Sequence, residues 1–329
     1  MKSNSYNLLS LVLNNFQAWI KSRVIHYKPL EFPLNVGDFE FISVVKKMGP
    51  RKSYPLAIYR DKKGQKAFAK MKDARLKGYH YYSLLNEIVM YEALNSAVKR
   101  IGNKMPIKFK DIYIPKVLGK YEDNKILLIL IEYIDGKVAQ DISPEKKTKL
   151  YLKVIEYLHL LGNNISQEDK AKISARNSYD YVFLYPFLVI KAIISYPKYT
   201  LNILKGVPVF IASVPEIIRN DDMVLTHRDL HFKNTMLSKG NIVLIDLQHC
   251  VYTNPIHEIT TTVRYWWKRD RLYILLLNAI QNKYSSMNEF ERLFKGFIVN
   301  SVTHGLTGKG YDKKTIKNWV SFLNYGVNI

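Results

Sequence analysis

The chain has 329 residues, enough to bury a sizeable core and to fold as two lobes or domains. Its 50 Lys and Arg against 28 Asp and Glu leave a formal net charge of +22, which favours anionic partners by long-range attraction and argues against a polycationic substrate. A single cysteine, Cys250, excludes an internal disulfide framework and a cysteine metal cluster, and a reducing cytosol is the expected location.

Residues Tyr6 to Ile25 place Leu8, Leu9, Leu11, Val12, Leu13, Phe16, Trp19 and Ile20 at mostly helical spacing, with Asn14, Asn15, Lys21 and Arg23 on the other side. This predicts an amphipathic helix, packed on the rest of the protein or lying in a membrane interface, a use that Trp19, Lys21 and Arg23 suit. The N-terminus lacks the long apolar core and small-residue cleavage site of a signal peptide, so secretion is not expected.

From Phe39 the pattern turns strand-like. A first strand runs to Met48, Gly49-Pro50 breaks it, Leu56 to Asp61 form a second, Lys62-Lys63-Gly64 a turn, and Lys66 to Lys72 a third. Leu84 to Leu94 then read as a helix carrying Glu87 and Glu92. The apolar run Ile126 to Ile131 predicts a buried strand leading into Glu132, Tyr133, Ile134, Asp135 and Gly136, and Pro144 to Leu161 predicts a helix. Between Tyr181 and Ile218 apolar density is high, but Pro186, Lys191 and Pro197 interrupt it before any clean stretch reaches the spanning length of about 18 residues. Core helices are the expectation there, with a monotopic membrane surface as the other reading. Further on, Val263 to Arg271 interleave cations with aromatics, a run that suits stacking on single-stranded nucleic acid, a sugar phosphate, or simple core packing. The tail from Leu293 to Ile329 predicts helices with a glycine-rich break at Gly305 to Gly310.

Chemistry is concentrated between Val224 and Cys250, in His227-Arg228-Asp229, Asn234, and Asp246 at the end of the apolar run Ile242 to Ile245. Phosphoryl transfer needs an acceptor for the proton of a substrate hydroxyl and oxygen ligands for Mg²⁺, because positioning and charge neutralisation do most of the work. Asp229 suits the first task, and Asn234 with Asp246 suits the second. A five-residue step from Asp229 to Asn234 lets one loop present both, and the turn Ser238 to Asn241 followed by a strand delivers Asp246 twelve residues later.

The segment HRDLHFKN followed by IDLQ resembles the catalytic and metal loops of the protein-kinase-like superfamily. Its short separation is similar to the aminoglycoside and choline phosphotransferase branch. The Arg of HRD, and IDLQ in place of a DFG-type triplet, also resemble the lipopolysaccharide-core (Kdo/heptose) kinases. The resemblance runs from about Phe39 to Tyr273 and implies an α+β, bilobal fold. A lead-in over 1–35 precedes a small N-lobe over 36–134, with an antiparallel sheet, one helix and the hinge; a larger, mainly helical C-lobe follows over 135–329.

It also implies ATP and Mg²⁺ as cofactors. In that scheme Asp229 orients and deprotonates the hydroxyl, His227 braces the loop, and Asn234 and Asp246 hold Mg²⁺. Lys70, paired with Glu87, secures the ATP phosphates, and backbone near Glu132 and Ile134 meets the adenine edge. Lys72, two residues on along the same strand face, is the alternative to Lys70, and Glu92 the alternative to Glu87. Glu258 stands near the position of a structural acid in the small-molecule kinases. Met48 to Pro55 contain one glycine and no G-x-G-x-x-G, a departure from protein kinases that leaves nucleotide contacts there undefined. The charge makes an anionic sugar or glycolipid of the cell envelope, met at the inner face of the membrane, the first expected acceptor. A small soluble alcohol or antibiotic is the alternative. The rival from another class is a catalytically silent module that binds nucleic acid or an anionic membrane, and the full set of expected polar residues argues against it.

Overall fold

Turn residues between short β-branched and aromatic runs build the first sheet. In the computed structural model, which describes residues 30–46, 55–76, 79–139, 142–173, 175–219, 222–269, 271–284, 288–308 and 311–328, the strands β1 (Asn35–Val36), β2 (Phe39–Lys46), β3 (Leu56–Asp61) and β4 (Lys66–Asp73) pair antiparallel in succession. The β3–β4 turn is closed by Asp61, whose Oδ1 accepts the Lys63 and Gln65 backbone N–H groups at 2.9 and 2.7 Å. After the two-residue β5 (Ile112–Tyr113), β6 (Val117–Glu122) and β7 (Ile126–Glu132) complete a six-stranded sheet ordered β1-β2-β3-β4-β7-β6. The Tyr6 to Ile25 segment and most of the Met48 to Pro55 loop lie outside the described residues.

Alternation along β4 separates two faces. Ala67, Ala69 and Met71 join Val36, Phe39, Ala57, Tyr59, Ile126, Leu128 and Leu130 in one apolar cluster. The intervening Lys70 and Lys72 belong to the other face, which the helix α1 (Tyr79–Ile101) covers. Covered on both faces, β7 is apolar from Ile126 to Ile131 with no alternation, as the sequence run predicts.

A second sheet is assembled from distant pieces. The hairpin β10 (Thr235–Ser238) and β11 (Asn241–Leu244) pairs on one side with β8 (Lys137–Val138) and on the other, in parallel, with β5. Its turn, Lys239-Gly240, has positive φ at both residues, 47° and 83°, the conformation that two-residue hairpin turns require. At the β8 approach, a Cβ on Gly136 would fall 2.8 Å from the Leu237 carbonyl oxygen, so only glycine fits there.

By its contacts the chain divides into two compact units. One holds the chain up to Val138 with Asn164–Ser174 and Lys233–Cys250; the other holds Ala139–Asn163, Ala175–Phe232 and Val251–Ile329. The hairpin that carries Asn234 and Asp246 therefore packs in the first unit.

Among the described residues, the second unit is mainly helical, with an antiparallel pair of β9 (Val224–Thr226) and β12 (Val251–Thr253). Its helices are α2 (Pro144–Asn163), then, beyond the one-turn α3 (Gln167–Lys170) of the first unit, α4 (Ser178–Ser195), α5 (Thr200–Arg219), α6 (Pro255–Trp266), α7 (Leu272–Tyr284), α8 (Asn288–Leu306) and α9 (Lys313–Asn328). Start signals are explicit. Asn177 and Asp180 form a capping box on α4, and Asn254 accepts the Ile256 N–H at 2.9 Å ahead of Pro255 on α6. The helix α8 is the centre of this unit: α4, α5, α6 and α9 all pack on it, and Phe297, Ile298, Val299 and Val302 are fully buried. Core packing of the segment from Tyr181 onward is only partial. Tyr181, Tyr185, Val189 and Ala192 of α4 are buried, whereas Phe183, Phe187, Ile190 and Ile194 on the opposite face are exposed, because α8 and α5 cover one side only.

Close helix approach at α8 depends on glycine. A Cβ on Gly326 of α9 would lie 2.6 Å from Ile298 Cγ2, and one on Gly296 would lie 2.6 Å from Ser213 Cβ of α5. Gly326→Val is therefore expected to force α9 away from α8 and to lower unfolding stability by about 2 kcal/mol, read as a lower urea midpoint. An unchanged midpoint would mean that the contact yields without strain.

Candidate active site

In the first unit, three sequence-distant charges meet below the sheet. Lys70 on β4 donates from Nζ to Glu87 Oε1 of α1 at 2.7 Å and to Asp246 Oδ1 at 2.8 Å. Glu87 is fully buried, and the Lys70 and Asp246 side chains are largely so. Burial alone would push the Lys70 ammonium down, but the two carboxylates outweigh it and hold the group above its ordinary value. Burial likewise pushes the Glu87 carboxyl up, to about 7, against the opposing pull of Lys70. The direction for Lys70 decides the state of the pair: a cation between two carboxylates stays charged. The alternatives raised by the sequence fall elsewhere. Lys72 is buried, which draws its ammonium down to about 8, and Glu92 lies exposed on α1.

Asn86, beside Glu87, fixes the segment after Asp246 to α1. Its Nδ2 donates to the carbonyls of Gln248 at 3.1 Å and Cys250 at 2.9 Å. Sequence reading passes over this residue because its partners lie more than 160 positions away.

The hairpin register sets Asn234 beside the Asp246 segment. Thr235 pairs with Leu244, and one step further out the Ile245 N–H donates to the Asn234 carbonyl at 3.1 Å. Asp246 follows with φ 61° and ψ 51°, a left-handed conformation rare for a residue with a side chain. A carboxylate and a carboxamide oxygen are hard donors that suit Mg²⁺, which is normally bound by one or two protein oxygens with phosphates and water. Among the described residues there is no cluster of three or more His, Cys, Asp and Glu that would instead suit a protein-only metal cage.

At the end of β7 the two hinge residues differ. Glu132 is engaged, since its N–H donates to the Lys116 carbonyl at 2.9 Å and its carboxylate accepts from the Tyr113 hydroxyl. Ile134 lies beyond the last ladder pair, Ala67 with Glu132.

The second unit carries the His227-Arg228-Asp229 loop. His227 is fully buried, and its backbone N–H donates to Glu258 Oε1 and Oε2 at 3.1 and 3.2 Å. The Arg228 N–H and guanidinium also favour the Glu258 carboxylate, yet burial dominates and pushes that carboxyl up to about 7. Arg228 has φ 60°, so the strained turn of the loop is held from behind by a buried acid. Asp229 is partly exposed, with His231 Nε2 at 3.8 Å from its Oδ2, beyond hydrogen-bond length.

In the aromatic and basic run after this loop the rings and Arg264 pack inward, whereas Lys268, Arg269 and Arg271 are exposed. Trp267 packs among Phe322, Tyr325 and Tyr273, and Trp266 packs on Phe232 with the Lys147 ammonium over both rings. Arg264 donates to the Ser301 carbonyl and lies over the Tyr265 and Trp319 rings.

Glu258 makes a pH test possible. Its folded pKa, about 7, lies above its ordinary 4.5, so the folded protein keeps a proton that the unfolded chain releases between those values. Its contribution therefore falls as pH rises from about 4.5 to 7 and is constant above. Glu258→Gln removes this titration, so stability relative to the wild type should move in favour of the variant by up to about 3 kcal/mol between pH 4.5 and 8. Urea midpoints of both proteins across that range read the effect, and parallel curves would mean that Glu258 is already ionised when folded.

A family model described as the phosphotransferase enzyme family matches residues 200–290, the segment that contains His227, Asp229, Asn234 and Asp246. No curated protein sequence matches the chain. Among solved structures, the chain is similar to a microcompartment-associated aminopropanol kinase, with TM-score 0.60 and 12% identity over 94% of each chain. It is also similar to a thermostable mutant of aminoglycoside phosphotransferase APH(4)-Ia in complex with ADP and hygromycin B, with TM-score 0.58 and 9% identity over 94% of this chain and 97% of the other. An amicoumacin kinase in complex with AMP-PNP and Ca²⁺ gives TM-score 0.55 and 13% identity over 98% and 96%. The chain thus has the protein-kinase-like fold, in the form found in the small-molecule phosphotransferases to which it is similar.

Proposed function

We propose that this protein is an ATP- and Mg²⁺-dependent kinase that transfers the γ-phosphoryl group of ATP to a hydroxyl of a small molecule or glycan. The observation that carries this reading is the buried ion-pair cluster of Lys70, Glu87 and Asp246 in the first unit. A cation held by a carboxylate on a rigid strand is what the α and β phosphates of ATP need. Asp246 and Asn234 are the ligands for Mg²⁺, which when bound neutralises charge on the phosphates. Asp229 accepts the proton of the acceptor hydroxyl, so that the oxygen attacks phosphorus as the bond to ADP breaks. His227, buried and tied through its backbone to Glu258, shapes the loop and moves no proton. Backbone at Ile134 is the better of the two hinge candidates for the adenine edge, because the Glu132 N–H is already bonded.

The acceptor in this reading is an anionic sugar or glycolipid of the cell envelope, phosphorylated in the cytoplasm at the inner face of the membrane. Support comes from the net charge of +22 and from the IDLQ likeness to the lipopolysaccharide-core kinases. The similar solved enzymes are named for an aminopropanol, an aminoglycoside and amicoumacin, so a soluble amino alcohol or antibiotic is the competing acceptor class.

Mg²⁺-dependent ADP release, measured with a panel of sugar phosphates, envelope glycolipids, amino alcohols and aminoglycosides, tests both levels. One acceptor class should stimulate turnover. Asp229→Ala should lower kcat by about 10²–10⁴-fold, and Asp246→Ala should abolish Mg²⁺ dependence. Nucleotide binding without any acceptor-stimulated turnover, unaffected by either substitution, would overturn the kinase; stimulation by amino alcohols alone would overturn the anionic acceptor.

A further inference from the structure

The helices α4 and α5 bury one side against α8 and leave the other apolar and uncovered. On α4, Tyr179, Phe183, Phe187, Ile190 and Ile194 follow one another at steps of four, four, three and four, a continuous stripe along one helix face. Phe187 is 70% exposed and Ile194 71%. On α5 the exposed face continues through Leu201, 76% exposed, Leu204, Pro208, Ile211 and Pro215. Only about a fifth of the first helix and a third of the second is buried, although both are long and apolar enough to cross a bilayer. Core helices of such composition are mostly buried; these are not.

Charge on the same surface selects the occupant. From Tyr179 to Pro215 the one acid is Asp180, engaged in the capping box of α4, and the cations present, Lys191, Lys198 and Lys205, are all exposed. Aromatic and branched apolar side chains flanked by lysines match an anionic lipid leaflet: the apolar stripe enters the boundary between headgroups and acyl chains and the ammonium groups meet lipid phosphates. The other side of each helix, through Tyr181, Tyr185, Ile203 and Phe210, is locked into the second unit, which leaves one face of each for a leaflet surface.

We propose that the exposed face of α4 and α5 is a monotopic membrane-docking surface that seats the second unit on an anionic bilayer. It gives a physical location to the membrane-facing acceptor proposed above and to that extent rests on that reading, but binding to lipid requires neither ATP nor an acceptor. The two therefore fail separately.

The full-length protein, without nucleotide, is floated with vesicles of phosphatidylcholine alone and of phosphatidylcholine mixed with phosphatidylglycerol. Binding to the anionic vesicles is expected, weakened by added salt. The double variant Phe187→Ser with Ile194→Ser, both at solvent-facing positions, should lose about tenfold or more of that partition while its thermal midpoint stays unchanged; Lys198→Glu with Lys205→Glu should lose the preference for anionic lipid. Wild-type protein that does not float, or apolar variants that float as well as wild type, would overturn the proposal. So would a wild-type dimer that the apolar variants convert to monomer without any vesicle binding, because a second copy would then be the occupant. Should vesicle binding be lost in the apolar variants while turnover on a soluble acceptor persists, the surface and the chemistry are independently established.

Discussion

The buried contact of Lys70 with Glu87 and Asp246 is the constraint around which the first unit is arranged. It ties together a strand, a helix and a segment 176 residues further along the chain. Removing charges from water is expensive, and their mutual attraction offsets this only in good geometry. Each partner is therefore placed by independent packing: Lys70 by the β3–β4–β7 ladders, Glu87 by the buried face of α1, and Asp246 by the β10–β11 hairpin and the Asn86 contacts behind it. Loss of one partner would leave the others buried and uncompensated, so the cluster makes correct sheet register a condition of stability.

Conformational strain lies in the His227–Asp229 loop and at Asp246. Arg228 and Asp246 are two of four non-glycine residues with positive φ among the described residues. The other two, Lys239 and Lys268, sit in turns. Such conformations persist only where surroundings over-determine them. For Arg228 that role falls to Glu258, which accepts backbone N–H groups of the loop while itself buried; for Asp246 it falls to the Lys70 contact and the hairpin. Both loops are thus held by buried polar groups, which resist deformation more sharply than apolar contacts because misplacement leaves them unsatisfied.

The second unit shows a different economy of surface. Its interior is dense at α8, where glycines on neighbouring helices let backbones come close, and its rings are turned inward around Trp267 and Trp319. Against that background the outward apolar face of α4 and α5 is an exception within the same packing, since the unit buries most of its other large aromatic side chains.

Much of this was legible from local signals. Hairpin turns, the uninterrupted apolar run of β7, helix spacing from Leu84 and from Pro144, and the spacing of Asp229, Asn234 and Asp246 all depend on residues near each other in sequence, and the corresponding elements form over Phe39–Lys46, Leu56–Asp61, Lys66–Asp73, Tyr79–Ile101, Ile126–Glu132 and Pro144–Asn163. Lys70 and Glu87 could be nominated but not separated from Lys72 and Glu92, because neighbouring residues of one element differ only in what they meet across the fold. Tertiary packing brings Lys70 to Glu87, and it also sets the contacts of Asn86, the hold of Glu258 on the His227 backbone, and the grouping of residues 233–250 with the N-terminal sheet. It also decided which side of the apolar helices is buried: composition places Tyr181 to Ile218 among core-forming segments, and only the limited area that α8 and its neighbours can cover leaves Phe187 and Ile194 facing outward.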